Sequence, residues 1–144
     1  MSISLNPYLF FDGNAREAVH FYEKALGGKV MGIMTYGEGP DNPDYPLSDD
    51  MKNRIMHAHL KVGEGDLMFS DTYEGMPYQP GNSIQIAIQP KEEARAKEIF
   101  AALEDGGQVV IPLHKTDFSP LYGMVTDKFG VSFNVNVPMD QPEE

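Results

Sequence analysis

His57 and His59 stand one residue apart in "IMHAHLKVGEGDLMFSD", a stretch that Asp71 closes. An H-x-H pair on a β-strand projects both imidazoles from one face, roughly 6.5–7 Å apart at the backbone, which is compatible with one metal ion. A metal site also needs a third ligand and outer partners for the rings. Glu64 and Asp71 are the nearest acids in sequence. Without metal, the same pair makes a polar strand face that binds a ligand or, through His57, moves a proton near neutral pH. A purely structural pair is the third reading. The chain has no cysteine, so metal chemistry would rest on His, Asp and Glu, and no thiolate nucleophile or disulfide is available.

Other reactive residue types have plainer readings. His20 belongs to a helical pattern and reads as a partly exposed helix residue, and His114 closes "VVIPLHK" at the border of a loop. Asp71 either caps the turn that follows it or hydrogen-bonds at a cavity. Ser70 and Ser119 lie in no elbow-like motif with a paired histidine and acid. No Gly-rich nucleotide-binding turn of the usual type occurs, and no cofactor is assigned. Tyr8, Phe10, Phe69 and Phe133 read as core.

The elements that position these residues follow from periodicity. In "NAREAVHFYEKALGG", Asn14 is a candidate helix cap with Glu17 at the capping-box position, and apolar residues recur at helical spacing up to a stop at Gly27. "KEEARAKEIFAALEDGG" repeats the pattern, with Ala96, Ile99, Phe100 and Leu103 as its buried stripe and Gly106 as its stop. "PYLFFD" precedes the first helix as "SIQIAIQP" precedes the second, and three β-like segments follow each. The chain thus reads as a duplicated strand, helix, three-strand unit. Alternation places Met56, Ala58, Leu60 and Val62 on one face of a strand and Ile55, His57, His59 and Lys61 on the other. The same split sets Ile84, Ile86 and Ile88 against Gln85, and Phe133 and Val135 against Asn134 and Asn136. Residues 37–50, with three prolines and five acids, fit no regular pattern and read as a solvated loop or the edge of a pocket.

A chain of 144 residues suits one domain, able to bury about 68–70% of its unfolded surface. The formal net charge of −11 disfavours nucleic acid and anionic lipid as partners. No signal-peptide pattern opens the sequence and no apolar run is long enough for a membrane span, so a soluble, cytoplasmic protein is expected.

The ordered set "PYLFF-G-A-EA--FY", "IMHAHL" and "LMFSD" resembles the PhnB-like branch of the glyoxalase/bleomycin-resistance/dioxygenase (vicinal oxygen chelate) superfamily, from Leu5 to Val137. The resemblance implies an α+β fold of two βαβββ modules, whose curved mixed sheet forms a cup with helices on the outer side and the polar strand faces lining it. It also implies a metal held by His and Glu on strands of both modules. The corresponding positions here fall near Pro7, around Phe69 or Ser70, near Ser83 and at Asn134, none of them a good metal ligand.

Module one is placed at about 1–73, a linker at about 74–81 and module two at about 82–138. The expected function is small-molecule binding in the cup without the usual metal, through His57, His59, Asp71, Gln85, Asn134 and Asn136. The alternative is an isomerase- or lyase-type enzyme using His57 or a nonstandard His-based metal site. A homodimer is expected, since exposed sheet edges gain from burial. The ligand depends on loops 37–50 and 114–121.

Overall fold

The computed structural model describes residues 2–40, 43–44 and 46–139. It divides into two compact units that meet at Gln79 and Pro80, within the segment read as a linker. Each unit is one strand–helix–three-strand module.

In the first unit, β1 (Tyr8–Phe11), helix α1 (Ala15–Leu26), β2 (Lys29–Thr35), β3 (Ile55–Val62) and β4 (Gly65–Asp71) follow in chain order. They form a four-stranded sheet in the order β1-β4-β3-β2. β1 runs parallel to β4, and the other pairs are antiparallel. The buried stripe of α1, Ala15, Ala18, Val19, Tyr22, Ala25 and Leu26, packs on the sheet. There Tyr22 stacks on Phe69, which stacks on Phe11. Gly27 ends the helix with φ 68°, a left-handed turn that a side chain disfavours. Asn14 makes no side-chain capping bond, contrary to the expectation, because a residue distant in sequence does that work.

Two further departures come from β3 and the loop before it. Ile55 is fully buried, although simple alternation put it beside His57. β2 advances one residue from Met34 to Thr35 while β3 advances two, from His57 to Ile55. Met56 is therefore the extra residue of a bulge, which turns Ile55 to the core side. Within residues 37–50 the chain is partly regular: a 3-10 turn covers Tyr36–Glu38, and a short helix, α2 (Asp49–Asn53), starts where Ser48 accepts the Met51 N–H at 3.1 Å. A serine cap followed by two acids is a helix start that the prolines upstream obscured. Asp41, Asn42 and Tyr45 of this loop lie outside the described residues.

The second unit repeats the order with β5 (Ile86–Ile88), α3 (Glu93–Glu104), β6 (Gln108–His114), β7 (Tyr122–Thr126) and β8 (Ser132–Asn136), the sheet running β5-β8-β7-β6. Ala96, Ile99, Phe100 and Leu103 are the buried face of α3, as the spacing requires. They cover Val125, Phe133 and Val135. Gly123 permits this approach, since a Cβ there would lie 2.9 Å from Phe100 Cε2. β5 is shorter than expected: Ile84 precedes it and is 82% exposed. Among the described residues no helix is long and apolar enough to cross a membrane.

Candidate functional site

Cross-strand partners share a face of a sheet, so the registers define what stands on the side of each sheet away from its helix. In the first unit this open face carries Tyr8 and Phe10 from β1, Met34 from β2, His57, His59 and Lys61 from β3, and Asp66 and Met68 from β4. Tyr8 and Phe10 were expected in the core, yet they are 40% and 56% exposed and stack with ring centroids 5.0 Å apart. Phe69 and Phe133 do lie in the core.

His57 and His59 share this face but not a partner. His57 Nδ1 is 3.1 Å from the Tyr8 hydroxyl, with ring centroids 5.8 Å apart. His59 Nε2 is 2.7 Å from Asp66 Oδ1, where Lys61 Nζ also approaches to 3.6 Å. The His59 hydrogen bond, helped by Lys61, holds the Asp66 carboxyl below its ordinary range against the opposing effect of burial. Asp66, rather than Glu64 or Asp71, is the acid beside the pair. The signal was the turn at Gly63 and Glu64, which sets Val62 opposite Gly65 and Lys61 opposite Asp66.

Asp71 belongs to the framework. It is 1% exposed, and its Oδ1 accepts the N–H groups of Gly13 at 2.8 Å and Ala15 at 3.0 Å, while Oδ2 accepts that of Ile55 at 2.8 Å. It caps α1 from β4, not the turn that follows it, and its pairing with Phe11 puts it on the helix side of the sheet. Its carbonyl accepts the Tyr36 hydroxyl at 2.9 Å and the Ser70 hydroxyl at 3.0 Å. Ser119 is likewise buried, its single hydroxyl proton shared between the Val137 and Leu121 carbonyl oxygens at 2.7 and 2.8 Å.

The open face of the second unit sets uncharged polar groups beside the apolar Met124 and Ala87, the cross-strand partners of Asn134. Asn134 Nδ2 donates to Gln85 Oε1 at 3.3 Å, Asn136 stands opposite Tyr122, and the hydroxyls of Thr126 and Ser132 are 3.4 Å apart. His114 is exposed at the edge of this sheet, with Nδ1 2.9 Å from the Pro112 carbonyl oxygen. His20 is also exposed, 3.4 Å from Glu23.

The superfamily's usual metal does not fit this donor set. Near the first position only the Pro7 carbonyl is available, and it accepts the Met68 N–H at 3.1 Å. Phe69 is buried, Ser70 is engaged with the Asp71 carbonyl, and Ser83 and Asn134 offer neutral oxygens that bind transition metals weakly. Among the described residues, no three of His, Cys, Asp and Glu gather in a group that could hold a metal ion.

Two modules of this order make the fold that of the vicinal oxygen chelate superfamily. Residues 4–136 match the family model described as 3-demethylubiquinone-9 3-methyltransferase, and the chain belongs to that PhnB-like family. It is 30% identical to the protein YjdN of Escherichia coli strain K12, over 97% of this chain and 99% of the relative. Among solved structures, the Pseudomonas aeruginosa protein PA1353 superposes with a TM-score of 0.84 at 38% identity, over 96% of this chain and 100% of that one. A PhnB protein of Bacillus cereus, whose name also carries the methyltransferase description, superposes with a TM-score of 0.75 at 23% identity, over 94% and 99% of the two chains, a likeness of fold.

Proposed function

We propose that this protein binds a small molecule on the open faces of its sheets, without the divalent metal of the superfamily's usual site. The observation that carries the reading is the contact of His57 with Tyr8 beside the exposed ring of Phe10. Aromatic rings that are left uncovered next to a polar group suit a ligand with an apolar or planar body and a hydrogen-bonding edge. His59 on the same face supplies a further hydrogen-bonding group, and Gln85, Asn134 and Asn136 are proposed as the hydrogen-bonding groups of the second unit's own open face. Asp71, with both carboxylate oxygens engaged by the backbone, is not part of the proposed site.

A thermal-shift screen of metabolites tests the reading, with a methyl donor such as S-adenosylmethionine in the panel to address the family's description. A ligand that raises the melting temperature of the wild type but not of His57→Ala or Tyr8→Phe supports it. A ligand response unchanged in both variants sinks it.

The second reading is an enzyme of isomerase or lyase type using His57. The pair formed by His59 and Asp66 favours it, since the carboxylate orients a ring beside the proton-carrying His57. Turnover of a ligand found in the screen, abolished by His57→Ala, separates this from binding alone. We also propose a homodimer in the cytoplasm. The edge strands β1, β2, β5 and β6 are the surfaces that pairing would bury, and the net charge of −11 supports partners other than nucleic acid or anionic membranes.

A further inference from the structure

His114 stands at the edge of the second sheet with its ring chemistry fixed. Its Nδ1 lies 2.9 Å from the Pro112 carbonyl oxygen, which can only accept, so Nδ1 carries the ring proton. In the neutral ring Nε2 then presents a lone pair, and among the described residues none donates to it.

Two further rings meet here. Tyr122, the cross-strand partner of His114, has its ring centroid 6.2 Å from that of His114 and 5.0 Å from that of Phe118, and stands at 79° and 76° to them. An acceptor nitrogen and an apolar ring are thus joined through Tyr122 into one corner-shaped patch. Tyr122 is also the partner of Asn136 on β8, and neither its hydroxyl nor the Asn136 amide makes a hydrogen bond with a described residue.

Phe118 is 56% exposed, although the turn that carries it is held in place. Thr116 Oγ1 accepts the N–H groups of Phe118 and Ser119 at 3.3 and 3.0 Å, the Thr116 N–H donates to the Ser119 carbonyl at 2.9 Å, and Ser119 itself is buried. A ring presented by a fixed turn loses little freedom when a ligand packs against it. Lys115 and Asp117, one of each sign, flank the turn and leave it without net charge. The groups on offer define what fits them. Phe118 and Tyr122 suit a flat apolar body, and the Nε2 lone pair requires a donor, since a carbonyl or carboxylate oxygen there would oppose lone pair to lone pair.

We propose that His114, Phe118 and Tyr122 form a second ligand site on this chain, for a planar aromatic molecule bearing an N–H or O–H donor. The proposal rests on the reading that the open sheet faces bind small molecules, and adds residues and a ligand class that the His57 and Tyr8 pair does not supply.

The probe is indole, with N-methylindole as the same shape lacking the donor. Each is titrated into the whole chain while NMR follows the ring signals of the four histidines. Indole should shift the His114 signal saturably, and N-methylindole should bind roughly fivefold more weakly, the worth of one hydrogen bond. His114→Phe should remove that difference between the probes, and Phe118→Ala should weaken both. Since His114 and Phe118 are exposed, both variants should melt as the wild type does. Equal binding of the two probes to the wild type, binding that survives both substitutions, or no saturable shift at millimolar concentration overturns the site. Shifts confined to His57 and His59 also overturn it, by placing the probe on the first unit's face, and leave the His57 reading standing.

Discussion

Asp71, at the end of β4, accepts the backbone N–H of Ala15, the first residue of α1, at 3.0 Å across 56 residues of sequence. The same carboxylate takes the N–H of Gly13 and, through its other oxygen, that of Ile55. One side chain thus satisfies the start of the helix, the turn before it and the first residue of β3.

Removing it leaves two buried backbone donors, those of Ala15 and Ile55, and the part-buried one of Gly13 without their acceptor. Asp71→Ala is expected to destabilise the fold by roughly 3–5 kcal/mol, since each orphaned donor costs about 1–3 kcal/mol and the losses are not additive. Asp71→Asn should recover part of this, as its single oxygen can still accept while its NH₂ opposes one N–H. Urea unfolding followed by circular dichroism measures both.

The pair of His59 and Asp66 makes a prediction about pH. Because the folded state holds the Asp66 carboxyl below its ordinary range, the interaction favours folding above the unfolded carboxyl's pKa and is lost as pH falls through the lower folded value. NMR titration of Asp66 should show a midpoint below that of an unstructured aspartate. His59→Ala removes the first cause of the shift and should move the midpoint back up. A midpoint unchanged by the substitution would mean that the hydrogen bond does not set it.

Gly123 tests the packing of the second unit. A methyl group there meets Phe100 Cε2 at 2.9 Å, the Ile111 carbonyl at 3.0 Å and Leu113 Cδ2 at 3.0 Å. Gly123→Ala should therefore cost about 1–3 kcal/mol by overpacking. Thermal melting that matches the wild type would show that α3 can shift to admit it.

Much of the frame is legible in the residues themselves. The stripe of α3 and the alternation of Phe133 and Val135 with Asn134 and Asn136 follow from local periods, which tertiary packing here reinforces. What stays hidden depends on partners far away in the chain. The bulge at Met56 exists only against β2, so Ile55 could not be assigned to the core from its own strand. Asn14 looked like the cap because the competing carboxylate is remote in sequence. Tyr8 and Phe10 looked like core because apolarity does not say which face of a sheet a helix covers. Within the candidate site, the histidines and the Gln85 and Asn134 amides stood out by residue type, whereas Asp66 and Tyr8 emerge from strand register.

The donor set at the superfamily's positions predicts no stoichiometric divalent metal there. Protein equilibrated with zinc, nickel or iron and then desalted should show none bound through Pro7, Ser83 or Asn134 on elemental analysis. Near-unit occupancy that Asn134→Ala or Ser83→Ala abolishes would contradict this. Assembly is checked separately by equilibrium sedimentation at micromolar concentration, where a species of about twice 16.0 kDa is expected and a purely monomeric one opposes the homodimer.

Ligand binding through the His57 and Tyr8 pair is tested most directly by melting wild type, His57→Ala and Tyr8→Phe with and without a ligand found by screening. Both side chains lie on the exposed face, so ligand-free stability should change by no more than about 0.5 kcal/mol. A ligand at 100 times its dissociation constant should stabilise the wild type by about 2.7 kcal/mol and the variants by much less. Loss of several kcal/mol in the ligand-free variants, with ligand affinity unchanged, would make the pair a structural element and contradict the proposed site.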